Sequence, residues 1–414
     1  MQELRTLPNG VTLALEQIPA ARTTALGIWV QSGARHEPQS LCGISHMIEH
    51  MVFKGTETRS ARVLAEEMDA IGGQINAFTA MDCTCFYARV LDTHASKAAD
   101  LLCDMVFHAK FSNRDLQTER GVVFEEIGMY RDSSEDYAVD RLNAAIYHGS
   151  SLGRPILGTK ASLRAMNGNT LRTYREKTYT GPAITVAVAG SFDDALLSDL
   201  ETRFSVLPNV APATFAPAEY HPSITLCKRD IQQNHICLAF PSLPYGAPER
   251  YALRLLNALV GGGMSSLLFQ SVREEAGLCY SISSFVSTYE DLGTFCIYTA
   301  TNPDTERDAL SRIRNELSAL DKTITQARLD RVRDQVISNI YMGLESTVAH
   351  MNSLANGSMR EKRLISPEEV VSALQQVTLN DVQALGARIF DFSRASISVV
   401  GTPETRGFYH NFQR

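Results

Sequence analysis

His46-Met47-Ile48-Glu49-His50 brings two imidazoles and a carboxylate together within five residues. Read as a helix, residues four apart stack on one face, so His46 and His50 can hold one metal ion between them. Glu49, three residues after His46, points to the same side. Nitrogen ligands for an ion, with a free carboxylate to take a proton from metal-bound water, are what a zinc hydrolase needs. The alternative is a pair of histidines on an exposed helix face, so the motif needs context.

A catalytic zinc takes three protein ligands and leaves one position for water. Residues 118–127 (TERGVVFEEI) offer carboxylates on an otherwise apolar helical run. Glu119 and Glu126 are seven apart and share a face, while Glu125 is rotated about 100° toward solvent or an outer partner. Residues 72–79 (GGQINAFT) put a glycine pair before an alternating strand. Such a strand, if exposed at a sheet edge, accepts a peptide as an added strand; a simple hairpin strand is the competing reading.

The elements that must position these groups follow a repeated plan. Residues 207–222 (LPNVAPATFAPAEYHP) carry four prolines, which stop helices and ill suit a central strand. Thr170-Leu171 leads through a helical stretch into AITVAVAG at 183–190, and about 210 residues later Thr378-Leu379 leads likewise into ASISVVG at 395–401. LGIWV at 26–30 corresponds to ICLAF at 236–240, each before a long helix ending near glycine, at Gly55 and Gly261. The pattern predicts a duplicated unit: a zinc-binding domain over 1–206, a linker over 207–222, and a second homologous domain over 223–414. Each reads as α+β, an antiparallel-rich sheet covered by helices on one face. Asn9-Gly10 predicts a hairpin turn before a strand at 11–15. Strands also read at 84–90 and 293–298, and helices at 61–71, 94–107, 115–130 and 324–344.

The whole chain sets outer bounds. Its 414 residues are 44% hydrophobic and carry a net charge of -7. That balance argues against a nucleic-acid or anionic-membrane partner, since both select basic surfaces. No signal peptide reads at the start and no apolar run is long enough for a bilayer, so a cytoplasmic protein is expected. Eight scattered cysteines then read as reduced, buried thiols. His36, His94, His108, His148 and His350 lack ligand spacing and read as surface or satisfied core residues.

H-x-x-E-H followed by E-R-x-V-V-x-E-E-I resembles the inverted zincins of the pitrilysin/insulysin group, most closely the half-size members of the mitochondrial processing peptidase type and their bacterial relatives. The likeness runs over nearly the full chain, through Asn9-Gly10-Val11, residues 72–79 and LGRPILG at 152–158. It implies His46, His50 and Glu126 as ligands of one Zn2+ per chain, Glu49 as general base and Glu119 as an auxiliary acid near the metal. It also implies that Gly73, Asn76, Ala77 and Thr79 bind substrate main chain. The second half has no histidine pair. It has GGGMSSLLF at 261–269, then Arg273 and Tyr280, resembling the family's glycine-rich loop and the Arg/Tyr pair that stabilises an oxyanion. A surface ion pair for Arg273 and a core position for Tyr280 are the alternative.

Longer members close two such units into a chamber. One unit here implies a dimer in which Arg273 and Tyr280 complete a partner's site, a homodimer in the simplest case or a heterodimer with a zinc-less partner. The implied activity is a zinc metalloendopeptidase acting on short or unfolded peptides. A non-catalytic scaffold subunit of the same fold is the rival, against which the complete His46, Glu49, His50 and Glu126 set counts. A zinc enzyme with a non-peptide substrate is disfavoured by the strand-edge segment. Ser151 and Gly181-Pro182-Ala183 depart from the family's pattern, away from the zinc set.

Overall fold

The computed structural model describes residues 2–414. Six strands, β1 (Gln2–Thr6), β2 (Thr12–Gln17), β3 (Thr23–Val30), β4 (Gln74–Thr79), β5 (Thr84–Leu91) and β6 (Ile184–Gly190), form one sheet in the order β1-β2-β6-β3-β5-β4. Five more, β7 (Ile224–Lys228), β8 (Asn234–Ser242), β9 (Cys279–Thr288), β10 (Gly293–Thr301) and β11 (Ser396–Gly401), form a second in the order β7-β11-β8-β10-β9. With β1 set aside the two orders are identical. Each sheet has one parallel pair, β2 with β6 and β11 with β7, and is otherwise antiparallel. The duplication in the sequence is thus a duplication of topology, and the fold is α+β. Gly10, at φ 91°, makes the β1–β2 turn.

The first sheet differs from expectation in one respect: helices cover both of its faces. Burial along β3 and β6 is nearly continuous, the pattern of strands covered on both sides. One face presents Leu13, Leu15, Leu26, Ile28, Val186 and Val188 to a large core. The other presents small residues, Ala14, Ala25, Ala187 and Ala189, around Trp29, and receives Met351, Leu354 and Ala355 from the helix Thr347–Glu361. Gly27 lets this helix approach, because a Cβ there would lie 3.2 Å from Met351 Sδ and 2.4 Å from the Trp29 ring. His350 anchors the same helix, its Nδ1 2.9 Å from Glu16 Oε2 and its Nε2 2.7 Å from the Leu344 carbonyl oxygen. It is a satisfied structural histidine.

Compactness therefore divides the chain differently from the linear halves. One unit comprises the chain up to Ile127 with Arg154–Ala216 and Gly343–Ile365. The other comprises Gly128–Gly153, Pro217–Met342 and Ser366–Arg414. The helix Ser134–Ile146, early in the chain, packs on β7, β8 and β11 of the second unit. Residues 208–222 form neither helix nor strand. All eight cysteines are free, and among the described residues no helix is long and apolar enough to cross a membrane.

Candidate metal centre

The histidine helix, α1 (Ile44–Val52), has nine residues and not the long run expected before Gly55. Two short 3-10 turns, Ala34–His36 and Gln39–Leu41, use up the chain between β3 and its start. Gly43, at φ 91°, turns the chain into the helix. Ile44, Met47, Ile48, Met51 and Val52 bury its apolar face, which leaves His46, Glu49 and His50 together at the edge of the core.

The helix Asn113–Asp132 brings Glu126 to that edge, with Val123 and Ile127 buried on either side of it. Glu126 Oε2 lies 3.6 Å from His46 Nε2 and 3.5 Å from His50 Nε2. Two ligands bound at about 2.0–2.2 Å to a tetrahedral ion lie about 3.3–3.6 Å apart, so these separations suit ligands of one ion better than direct hydrogen bonds. One donor atom from each of the three residues falls within 4.8 Å of the others. Glu126 Oε2 is buried without a hydrogen-bond partner among the described residues, a costly state that a cation relieves. The donor set fits zinc: two nitrogens and one carboxylate oxygen, the three protein ligands of a catalytic site.

Protonation supports the same use. Burial, reinforced by the charge of His50, pushes His46 down to about 4, which leaves it neutral and able to donate a lone pair. His50 holds Glu126 below the ordinary carboxylate range, and Glu126 in turn raises His50. Glu49 stands apart from the ligand cluster. Burial raises its carboxyl, and Thr79 Oγ1 donates to its Oε2 at 2.5 Å. Glu125 is exposed, as its rotation on the helix predicts.

Glu119 is buried two turns before Glu126 and lies behind His50, away from the ligand cluster. Its Oε2 is 3.2 Å from His50 Nδ1 and its Oε1 is 2.6 Å from Lys54 Nζ. With Glu119 on Nδ1, the Nε2 of His50 is left free for a ligand role, the arrangement in which a carboxylate orients a metal-binding histidine. Glu119→Gln is expected to weaken zinc binding by about 10–100-fold with the fold intact, read by competition with a chromophoric chelator. Unchanged affinity would reduce Glu119 to a partner for Lys54.

The segment expected to bind peptide occupies β4, an edge strand paired only with β5. Gln74, Asn76 and Phe78 are exposed in alternation, and Thr79 ties the strand's end to Glu49. Asn76 Oδ1 accepts from Ala77 N at 2.8 Å, so a docking chain would compete with that bond. Gly73 answers to packing, since a Cβ there would meet Met68 Sδ at 2.6 Å and Val90 Cγ1 at 2.8 Å.

Arg273 and Tyr280 belong to the second unit. Arg273 sits in a π-helical stretch, Phe269–Glu275, a rare geometry enriched at functional sites. Its guanidinium lies 4.6 Å from the Phe269 ring centroid and 5.5 Å from that of Tyr280. Tyr280 is 76% exposed at the start of β9, so it is not a core residue. Glu37 and Lys54 carry structural duties at the site that no spacing in the sequence announces.

Two family sequence models match consecutive stretches of the chain: the insulinase family, peptidase family M16, over residues 12–160, and the peptidase M16 inactive domain over residues 165–336. The chain belongs to peptidase family M16. The stretch that matches the inactive domain carries no histidine pair. An uncharacterized zinc protease of Bacillus subtilis, YmxG, is 40% identical over 400 residues, covering 96% of this chain and 98% of the relative. One from Streptomyces coelicolor is 34% identical, covering 96% of this chain and 88% of the relative. A protease from Helicobacter pylori shares the fold with a TM-score of 0.88 at 19% identity, covering 97% of this chain and 99% of that one. A peptidase M16 inactive domain structure from Pseudomonas fluorescens has a TM-score of 0.90 at 17% identity, with 98% of each chain covered.

Proposed function

We propose that the chain is a zinc-dependent metalloendopeptidase that cleaves short or unfolded peptides. The observation that carries the reading is the convergence of His46, His50 and Glu126 on one point, with an unliganded Glu49 beside them. Relatives named as zinc proteases over nearly their whole length support it. Zinc bound there would polarise a peptide carbonyl and make water nucleophilic near neutral pH.

The remaining work falls to this chain's own residues. Glu49 takes the proton from the attacking water and returns it to the leaving amine. Thr79 holds the carboxylate in place and links it to the strand where substrate docks. The open edge of β4 takes an extended chain by main-chain pairing, with Gly73, Asn76, Ala77 and Thr79 along it, and so selects unfolded segments. Arg273 and Tyr280 would stabilise the developing oxyanion in a partner's site, within a chamber closed by two copies of the chain. A heterodimer with a zinc-less partner is the second form of this reading. A scaffold role is disfavoured by the intact ligand and base set. The free cysteines and acidic balance suit the cytoplasm.

Removing the metal tests the reading. Chelation is expected to abolish cleavage of a quenched fluorescent peptide library, and one equivalent of Zn2+ per chain to restore it. Cleavage by metal-free protein would end the zinc proposal.

A further inference from the structure

The first turn of a helix leaves backbone N–H groups without intrahelical partners, and a Ser, Thr, Asp or Asn at the N-cap ordinarily serves them. The N-cap of α1 is Gly43, which has no side chain to offer. Glu37 serves instead, six residues upstream: its Oε2 accepts from Gly43 N at 2.6 Å and its Oε1 from Ser45 N at 2.8 Å. Only 3% of Glu37 is exposed. A buried carboxylate is a costly way to cap a helix, and no side chain at position 43 could replace it, because φ there is 91° and a Cβ would clash with Gly158.

What two oxygens on two N–H groups provide is a fixed rotation and a fixed height for the turn that carries His46. The surroundings reinforce this. Arg154 Nη1 donates to the Glu37 carbonyl oxygen at 2.8 Å, which holds the loop that carries the carboxylate. Gly158 packs against the same turn so closely that a Cβ on it would meet Cys42 O at 2.4 Å. A Cβ on Gly43 would meet Gly158 Cα at 2.7 Å. The helix start is clamped on two sides, with ligands one and two turns further on. Resting on the zinc reading above, we infer that Glu37 is a positioning residue for the metal centre: it sets the rotation of α1 that presents His46 and His50 to one ion, without touching the ion.

The test compares wild type with Glu37→Gln, Glu37→Asp and Leu200→Ala at pH 8, well below the lowest melting point. Leu200→Ala loosens the same unit from a helix outside the site, Asp194–Ser205, where Leu200 is fully buried. Zinc dissociation constants from chelator competition and the visible spectrum of the Co2+-loaded protein are the readouts. Glu37→Gln is expected to raise the zinc dissociation constant about tenfold or more and to alter the cobalt spectrum. Glu37→Asp, which keeps the charge but withdraws it by one methylene, is expected to fall between. Leu200→Ala is expected to melt earlier with wild-type metal affinity and spectrum. The inference is overturned if every folded Glu37 variant binds zinc as wild type does, or if Leu200→Ala weakens binding equally. A wild-type chain that takes up no zinc would overturn the metal reading itself, a failure visible before any variant is compared.

Discussion

Glu49→Gln is expected to lower kcat for peptide hydrolysis by about 10²–10⁴-fold while zinc content stays at the wild-type level. The substitution keeps the size of the side chain and a carbonyl oxygen for Thr79 Oγ1 to bond. It removes the one property the reaction needs, a carboxylate that can take up and release a proton. Metal content should not follow, because the cluster of possible ligand atoms is His46, His50 and Glu126, with Glu49 outside it. Metal analysis and steady-state kinetics on the same preparation decide the matter. Equal activity in the two proteins would remove Glu49 as the base, and loss of zinc together with activity would move it among the ligands.

The contrast between Glu49 and Glu119 shows which parts of the site were legible in the sequence. His46, Glu49 and His50 are legible because the geometry of a helix converts spacing directly into a shared face, whereas Glu126 is set apart from Glu119 only by the family resemblance. Glu119 shares that face with Glu126 but lies two turns away, and its distance from the ion depends on how two helices cross. Spacing cannot supply that, and the structure gives Glu119 the far nitrogen of His50. Glu37 left no pattern at all. Its partners are backbone N–H groups, which every residue but proline has, so no side-chain type marks the interaction. The fold follows the same logic. Sheet membership and the repeat show in the apolar runs of β3, β6, β8 and β11. The row of alanines and glycine along β2, β3 and β6 forms a second covered face, where the sequence predicts only one. That the cover is the helix Thr347–Glu361, far along the chain, was set by tertiary packing and by no local signal.

Mixing two inactive variants is expected to restore activity if the chain works as a homodimer with shared sites. Arg273→Ala alone should cost about 10²–10³-fold in kcat, the usual loss when an oxyanion donor is removed. Glu49→Gln disables the other set of groups. In a mixed dimer, the zinc site of the Arg273→Ala chain keeps its own Glu49 and receives Arg273 and Tyr280 from the Glu49→Gln chain, so one of two sites is complete. Random subunit exchange makes about half the dimers mixed, which predicts recovery to about a quarter of wild-type activity. If Arg273 instead served the zinc site of its own chain, each chain of a mixed dimer would still carry one defect and mixing would recover nothing. If the working enzyme is a heterodimer, the chain alone would lack a complete site even in the wild type, and activity would appear only with the second subunit. Size-exclusion chromatography with light scattering on the wild-type chain singles out the second case, because an active monomer at assay concentration excludes any site completed by a partner.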